Sequence, residues 1–555
     1  MKLILALLLL LSSLNSWAEE SASVTEPVRR NWSFLTASSI PVHGGGRIKP
    51  LDSYAREVIL YITGSKSFGG REPIETLFSW IAFPDAWKQM PIIQISREDV
   101  KRQLGIDEKR NRFSPRELLQ NYSLLQYAEL LGKGSQATLS GGASMSREQE
   151  LKRAIERIGL FHSVISGDAW ALVPAAAPAP WKSITAQDPR AIELRKIFTE
   201  LVNSFRNGDT MSFEKTSQIL NDKIISLIQG WDEATARVVR AELVYNQSHP
   251  FRIAWILYLL GALAGVVGSS LAQGKGTPSV HWYKIMNASL LAGLCSHIFG
   301  IVLRCYVAGR PPVTNMYESI NWVFLGVIVL AIILYSIQKQ KIVLIVAGAL
   351  SCFGLIVGDA APVMMDPSIQ PLVPVLRSNY WLTIHVLTIT LGYSALTLTL
   401  GIADVALYQF YKNSKASLQL IEGLNQLTYR AMQFGVVLLA AGTILGGVWA
   451  DYSWGRFWGW DPKEVWALIA LLCYLAILHG RFAGWVGQFG YTAWTVVAFL
   501  SVLMAWYGVN FVLGAGLHSY GFSAGGKGWV LGFVLLQVGY VTAVALKRRK
   551  SQART

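Results

Sequence analysis

After Pro250 the sequence becomes a series of long apolar segments, and this constrains the fold more than any other feature. Nine segments are long enough to cross a bilayer, each roughly 17–30 residues. They begin near Phe251, Ile285, Tyr317, Lys341, Leu382, Ala431, Glu464, Tyr491 and Trp529. In hydrocarbon every backbone amide needs an internal partner, so segments of this kind become helices. The expected fold is an all-α polytopic membrane protein of about nine transmembrane helices. The whole chain agrees: hydrophobic residues make up 52% and charged residues only 15% of 555, which excludes a purely soluble protein.

The N-terminal half reads differently. Lys2, the apolar run Leu3 to Leu11, and Ser16-Trp17-Ala18 have the layout of a signal peptide over residues 1–18, with an uncleaved anchor as the alternative. Residues 19–250 are polar and long enough for a domain with its own core, placed outside the membrane. Glu150 to Ile158 and Arg190 to Phe205 carry helical spacing of apolar residues, so this domain is expected to be mainly helical. Ala175 to Pro180 reads as a loop. The string Gly46-Arg47-Ile48-Lys49-Pro50-Leu51-Asp52-Ser53 reads as a basic turn before a helix. Residues 251–546 form the transmembrane domain and 547–555 a basic inner tail.

With the first domain outside, the first span runs inward and alternation fixes the rest. Predicted inside loops carry Lys275, Lys284, Lys339, Lys341, Lys412, Lys415, Arg430 and Arg481, and the tail adds Lys547-Arg548-Arg549-Lys550. Predicted outside loops carry fewer cations: Arg310, Arg377, Arg456, Lys463 and Lys527. That asymmetry fits the positive-inside rule. It also accounts for much of the net charge of +15 without nucleic acid, for which no motif is present.

Chemistry concentrates in Trp454-Gly455-Arg456-Phe457-Trp458-Gly459-Trp460-Asp461-Pro462-Lys463-Glu464-Val465-Trp466, in the predicted outside loop between spans six and seven. Four Trp in thirteen residues exceed an ordinary interfacial belt. Large flat rings offer a stacking surface to a large flat ligand. Arg456 and Lys463 suit carboxylates such as haem propionates. Asp461-Pro462 reads as the cap of the seventh helix. The competing interpretation is an interfacial Trp cluster beside a helix cap.

Two histidines fall on the same predicted side, His385 near the outer end of span five and His518 in the last outside loop. A pair of imidazoles is a sound axial set for haem iron. His479 follows Asp461 by 18 residues, about 27 Å of helix rise, and so lies near the inner face. His297 lies mid-span and is either part of an inner haem site or a bridge between helices. Arg304 reads as a snorkelling side chain, and Asp404 has no assigned role. The four cysteines, Cys295, Cys305, Cys352 and Cys473, form no C-x-x-C or C-x-x-C-H. They read as buried small hydrophobes.

These strings resemble a known family. Trp454 to Trp466 is similar to the tryptophan-rich (WWD) signature of haem-handling proteins, in the form found in CcsA, also called ResC. Gly309-Arg310-Pro311-Pro312-Val313-Thr314-Asn315-Met316-Tyr317-Glu318-Ser319 resembles a second family string, with Val and Thr in place of its Leu and Ser. Leu478-His479-Gly480-Arg481 and Gly516-Leu517-His518-Ser519-Tyr520-Gly521 match two more. Together they cover most of residues 285–525. The resemblance implies cytochrome c biogenesis in a bacterial inner membrane, with the N-terminal domain in the periplasm. It further implies that haem b is bound as substrate by His385 and His518 and stacked by Trp454, Trp458 and Trp460. His479 matches the family's transmembrane histidine. The implied partners are a separate CcsB/ResB-like membrane protein and apocytochromes c carrying CxxCH, to which haem is joined by thioethers. Alternatives are a haem chaperone of the CcmF/CcmC type and a haem exporter without ligation activity.

Overall fold

The computed structural model describes residues 32–132, 142–176, 179–272, 279–362, 364–372, 378–513 and 526–552. The expected signal segment and His518 lie outside them. The chain divides into two compact units, residues 1–248 with 368–371, and residues 249–367 with 372–555.

The first unit is mainly helical. Its core is aromatic, with Trp80, Trp87, Trp170, Phe78, Phe113 and Phe161 fully buried. The glycine-rich turn belongs to an antiparallel hairpin, β1 (Pro41–Gly44) and β2 (Arg47–Pro50), with Pro41 opposite Pro50. Gly45 and Gly46 both have positive φ, as a two-residue hairpin turn requires. Helix α1 (Leu51–Thr63) follows directly, and α2 (Pro73–Ala82) packs on it. A second short hairpin pairs β3 (Ile93–Gln94) with β4 (Arg112–Phe113). The two sequence-predicted helices extend to α3 (Gly142–Ser166) and α4 (Pro189–Asn207), followed by α5 (Thr210–Leu227) and α6 (Glu233–Ser248). Asp188 caps α4 by accepting from the Arg190 amide, and Gly208 ends the helix in the left-handed conformation.

The basic string beginning at Gly46 turns out to be a clamp. Arg47 donates two hydrogen bonds to Glu242 of α6, at 2.6 and 2.7 Å. Lys49, 1% exposed, pairs with Glu57. Asn246 of α6 donates to Asp52 at 3.0 Å and to Ser53 at 2.7 Å. A turn reading missed this because both partners on α6 lie almost two hundred residues away.

The second unit holds nine helices long and apolar enough to cross a membrane, counted among the described residues. They are α7 (Pro250–Ala272), α8 (Ser279–Ala308), α9 (Met316–Gln338), α10 (Ile342–Ala360), α11 (Asn379–Lys412), α12 (Lys415–Trp454), α13 (Pro462–Phe482), α14 (Gln488–Leu513) and α15 (Lys527–Gln552). Two of them contain π-helical stretches, Leu382–Val386 in α11 and Met504–Leu513 in α14. Helices α11 and α12 pack most extensively. At Gly392 a Cβ would lie 3.0 Å from the Leu439 amide nitrogen, so the missing side chain lets two backbones meet.

Three sequence expectations change. Helix α12 starts sixteen residues before the expected Ala431, so Arg430 sits in a helix and not in a loop. A polar, breaker-poor prefix capped by Ser414 continues the helix beyond its apolar part. Arg304 does not snorkel: it is 1% exposed and paired with Glu318. Of the cysteines only Cys352 is buried; Cys295 is exposed on a span, where lipid replaces the protein core.

Candidate functional site

The ends of α9, α11, α12, α13 and α14 that meet at the tryptophan loop enclose a cleft. The cavity measures about 170 Å3 and is open at one side. His385, Trp449, Trp458, Lys463, Trp506, Thr314 to Met316 and Ser319 stand in its wall.

His385 lies in the π-turn of α11. π-turns widen a helix by one residue and recur at functional sites. Its Nδ1 lies 2.8 Å from the Gly442 carbonyl oxygen, which can only accept, so Nδ1 carries the proton and Nε2 the lone pair. A backbone carbonyl behind one nitrogen is the usual arrangement that orients an imidazole as a metal ligand. Gly446, one turn further along α12, makes room for the ring: a Cβ there would lie 2.6 Å from His385 Cε1. Trp449 meets His385 edge to face at 5.7 Å and stacks on Trp381 at 6.5 Å. Gly446→Ala should therefore displace the imidazole and lower any ligand retained at His385 by about tenfold or more, the scale on which disturbed ligand orientation acts. The fold should remain, as measured by an unchanged melting profile of the purified protein.

The tryptophan loop is built by caps at both ends. Gly455, at positive φ, ends α12. Asp461 and Glu464 form a reciprocal capping box at the start of α13, with Pro462 in its first turn. Glu464 also accepts from the Gly459 amide at 2.8 Å. Arg456 folds back, 3.6 Å from Glu464 and 5.8 Å from the Trp454 ring centre. Trp460 adopts φ +58°, which is uncommon for a bulky residue, and the residue is 72% exposed. It stands perpendicular to Trp458 at 6.0 Å. Only Trp458 of the expected stacking trio lines the cleft.

The string Gly309 to Ser319 builds another part of the wall beside a buried ion pair. Asn315 caps α9 by accepting from the Glu318 amide. Glu318 accepts from Arg304 Nε at 2.8 Å, and from the Thr314 amide and hydroxyl at 2.8 and 2.6 Å. Arg304 reaches on to the Pro367 carbonyl at 2.7 Å and lies over Tyr317.

The other predicted residues lie elsewhere. His297 is fully buried; its Nε2 donates to the Asn321 carbonyl at 2.9 Å and its Nδ1 accepts from Tyr258 at 3.2 Å. It thereby ties α7, α8 and α9 together. His479 is exposed in the last turn of α13, with Nδ1 2.7 Å from the Leu475 carbonyl. Asp404 accepts from Gln537 at 3.1 Å. Reading the sequence missed Trp449 and Trp506. The spacing of Gly442, Gly446 and Trp449 puts all three on one helical face, and that was the available signal.

Fold and cleft together define a polytopic helical membrane protein with an aromatic, histidine-bearing site at one end of its bundle. The cytochrome c assembly protein family matches residues 313–518, the stretch that builds this cleft. CcsA of Guillardia theta is 36% identical over 245 residues, 39% of this chain and 79% of that protein. CcsA of Cyanophora paradoxa is 31% identical over 293 residues, 43% of this chain and 89% of that one. The chain belongs to the CcsA family of cytochrome c biogenesis proteins. Similarity to the protein NrfI of Wolinella succinogenes is more extensive, at 28% identity over 493 residues. It takes in 86% of this chain but spans only about half, 53%, of NrfI.

Proposed function

We propose that this protein binds haem b in the cleft and promotes its thioether attachment to apocytochromes c. The observation that carries this reading is His385. Its tautomer directs a lone pair from Nε2, and the ring stands among aromatic walls. The cleft is open at one side, so a flat macrocycle larger than its 170 Å3 interior would stand partly in the mouth. Trp458 and Trp449 supply flat apolar faces, and Lys463 supplies a cation for a propionate. In this reading His518 provides the second axial nitrogen, Trp454 and Trp460 close over the ligand, and Arg456 exchanges Glu464 for a propionate. Asp461 holds the loop through its cap.

Attachment adds each cysteine S–H across a vinyl C=C, forming a C–S bond and placing the hydrogen on carbon, with no net redox change. The protein's part is to hold the substrates in register and keep competing water out. His479, exposed at the opposite end of α13, is positioned to receive haem on the inner side. A CcsB-like membrane protein is the proposed partner. The setting is a bacterial cytoplasmic membrane with the N-terminal domain on its outer side. The test is production of a CxxCH reporter cytochrome in cells lacking any other attachment system, with the CcsB-like partner supplied. Covalent haem that survives denaturing electrophoresis is expected only when this chain is present. Haem export without covalent product would contradict the reading.

A further inference from the structure

The opposite end of the bundle carries a second cleft, between the start of α14 and the end of α15. It is lined by Gly487, Gln488, Phe489, Gly490, Arg548 and Arg549, among others, and measures about 370 Å3. Among the described residues no carboxylate lines it. The Arg548 guanidinium lies against two rings, 4.9 Å from Phe489 and 5.2 Å from Phe410, which fix its orientation. Its Nη1 is buried yet has no hydrogen-bond acceptor within the described residues. A buried, unsatisfied donor on a cation is costly, and a ligand with anionic oxygens removes that cost. The first turn of α14 faces the same space. Gly487, its cap residue, has no side chain to satisfy the first amides, and a helix start favours negative charge.

Both helix ends fall on the predicted inner side, at the ends of helices long and apolar enough to cross a membrane. A soluble anion would meet the site only from bulk water, whereas an anionic lipid is held there by its own chains. We infer that this cleft binds the headgroup phosphate of an anionic phospholipid, with Arg548 and Arg549 as its ligands and the first amides of α14 as additional donors. Basic pockets between helices on the inner side of a membrane recognise such headgroups. The site is separate from the aromatic cleft and does not depend on the function proposed for it.

Native mass spectrometry of the full-length protein, extracted from vesicles of phosphatidylcholine with or without phosphatidylglycerol, tests the inference. The expected result is retention of phosphatidylglycerol in preference to phosphatidylcholine. R548Q and R549Q should each reduce it about fivefold, the scale of one basic residue at a membrane surface. K550Q removes the same charge from a residue outside the cleft and should leave retention unchanged. Equal retention of the two lipids, or equal losses in all three variants, would overturn the site in favour of a diffuse basic tail. If inorganic phosphate displaces the lipid at millimolar levels, the cleft is a free-anion site and the lipid assignment fails.

Discussion

Replacing His385 with glycine should abolish haem retention at the cleft and stop cytochrome c maturation, and added imidazole should restore part of both. The substitution removes the Nε2 lone pair and leaves a space the size of the lost ring, walled by Trp449 and Gly446. Free imidazole fits that space and can accept the same orientation from the Gly442 carbonyl, which otherwise loses its donor. Disturbing only the groups that orient a metal ligand commonly costs 10–100-fold, so loss of the ligand itself should cost at least about a hundredfold. Bound haem by absorbance and covalent product by haem staining are the two readouts. A variant that keeps wild-type haem and product would remove His385 from the mechanism.

Glu318→Ala should destabilise the second unit severely. Arg304 and Glu318 are each 1% exposed, and Glu318 collects hydrogen bonds from Arg304 and Thr314. Removing one partner of a buried pair leaves an uncompensated charge and costs about 3–5 kcal/mol. The cleft should suffer with the fold, because Thr314, Asn315 and Met316 stand in its wall. The double variant Arg304→Met/Glu318→Met removes both charges and should recover much of the lost stability, since replacing a buried pair by apolar groups is often close to neutral. Thermal inactivation of the detergent-purified protein separates the cases. A double variant as unstable as Glu318→Ala would show that the hydrogen bonds to Thr314 and Pro367, and not the charge balance, hold this wall.

These two residues also show what the sequence could and could not reveal. The spans were legible because bilayer thickness imposes a length of apolar sequence that few other folds share. His385 and the tryptophan loop stood out because an imidazole and clustered indoles at one predicted depth are unusual. The pairing of Arg304 with Glu318 was not legible. A charge near a helix end suits both snorkelling and a buried bridge, and only the turn at Asn315 decides which. The cleft wall at Trp449 depends on the π-turn of α11, and hydrophobic periodicity does not register one extra residue in a turn. The clamp of Arg47 on Glu242 is long-range, so the local pattern around the hairpin suggested no more than a turn.

The capped loop bears on how the cleft would work. Trp460 is held in left-handed backbone between Gly459 and the capping box of Asp461, with its ring outward. Such strain costs about 1–3 kcal/mol and persists where the surroundings enforce it. The Arg456 guanidinium occupies the space a Gly459 side chain would need. These features supply a rigid base and an outward aromatic ring, an arrangement suited to closing over a flat ligand presented at the mouth.

The most direct measurement is the absorption spectrum of the purified protein, oxidised and reduced, together with its His385→Ala and His518→Ala variants. The account predicts a b-type spectrum with two nitrogenous axial ligands that weakens in both variants. Absence of haem from the wild-type protein, even when purified with the proposed CcsB-like partner, would contradict it.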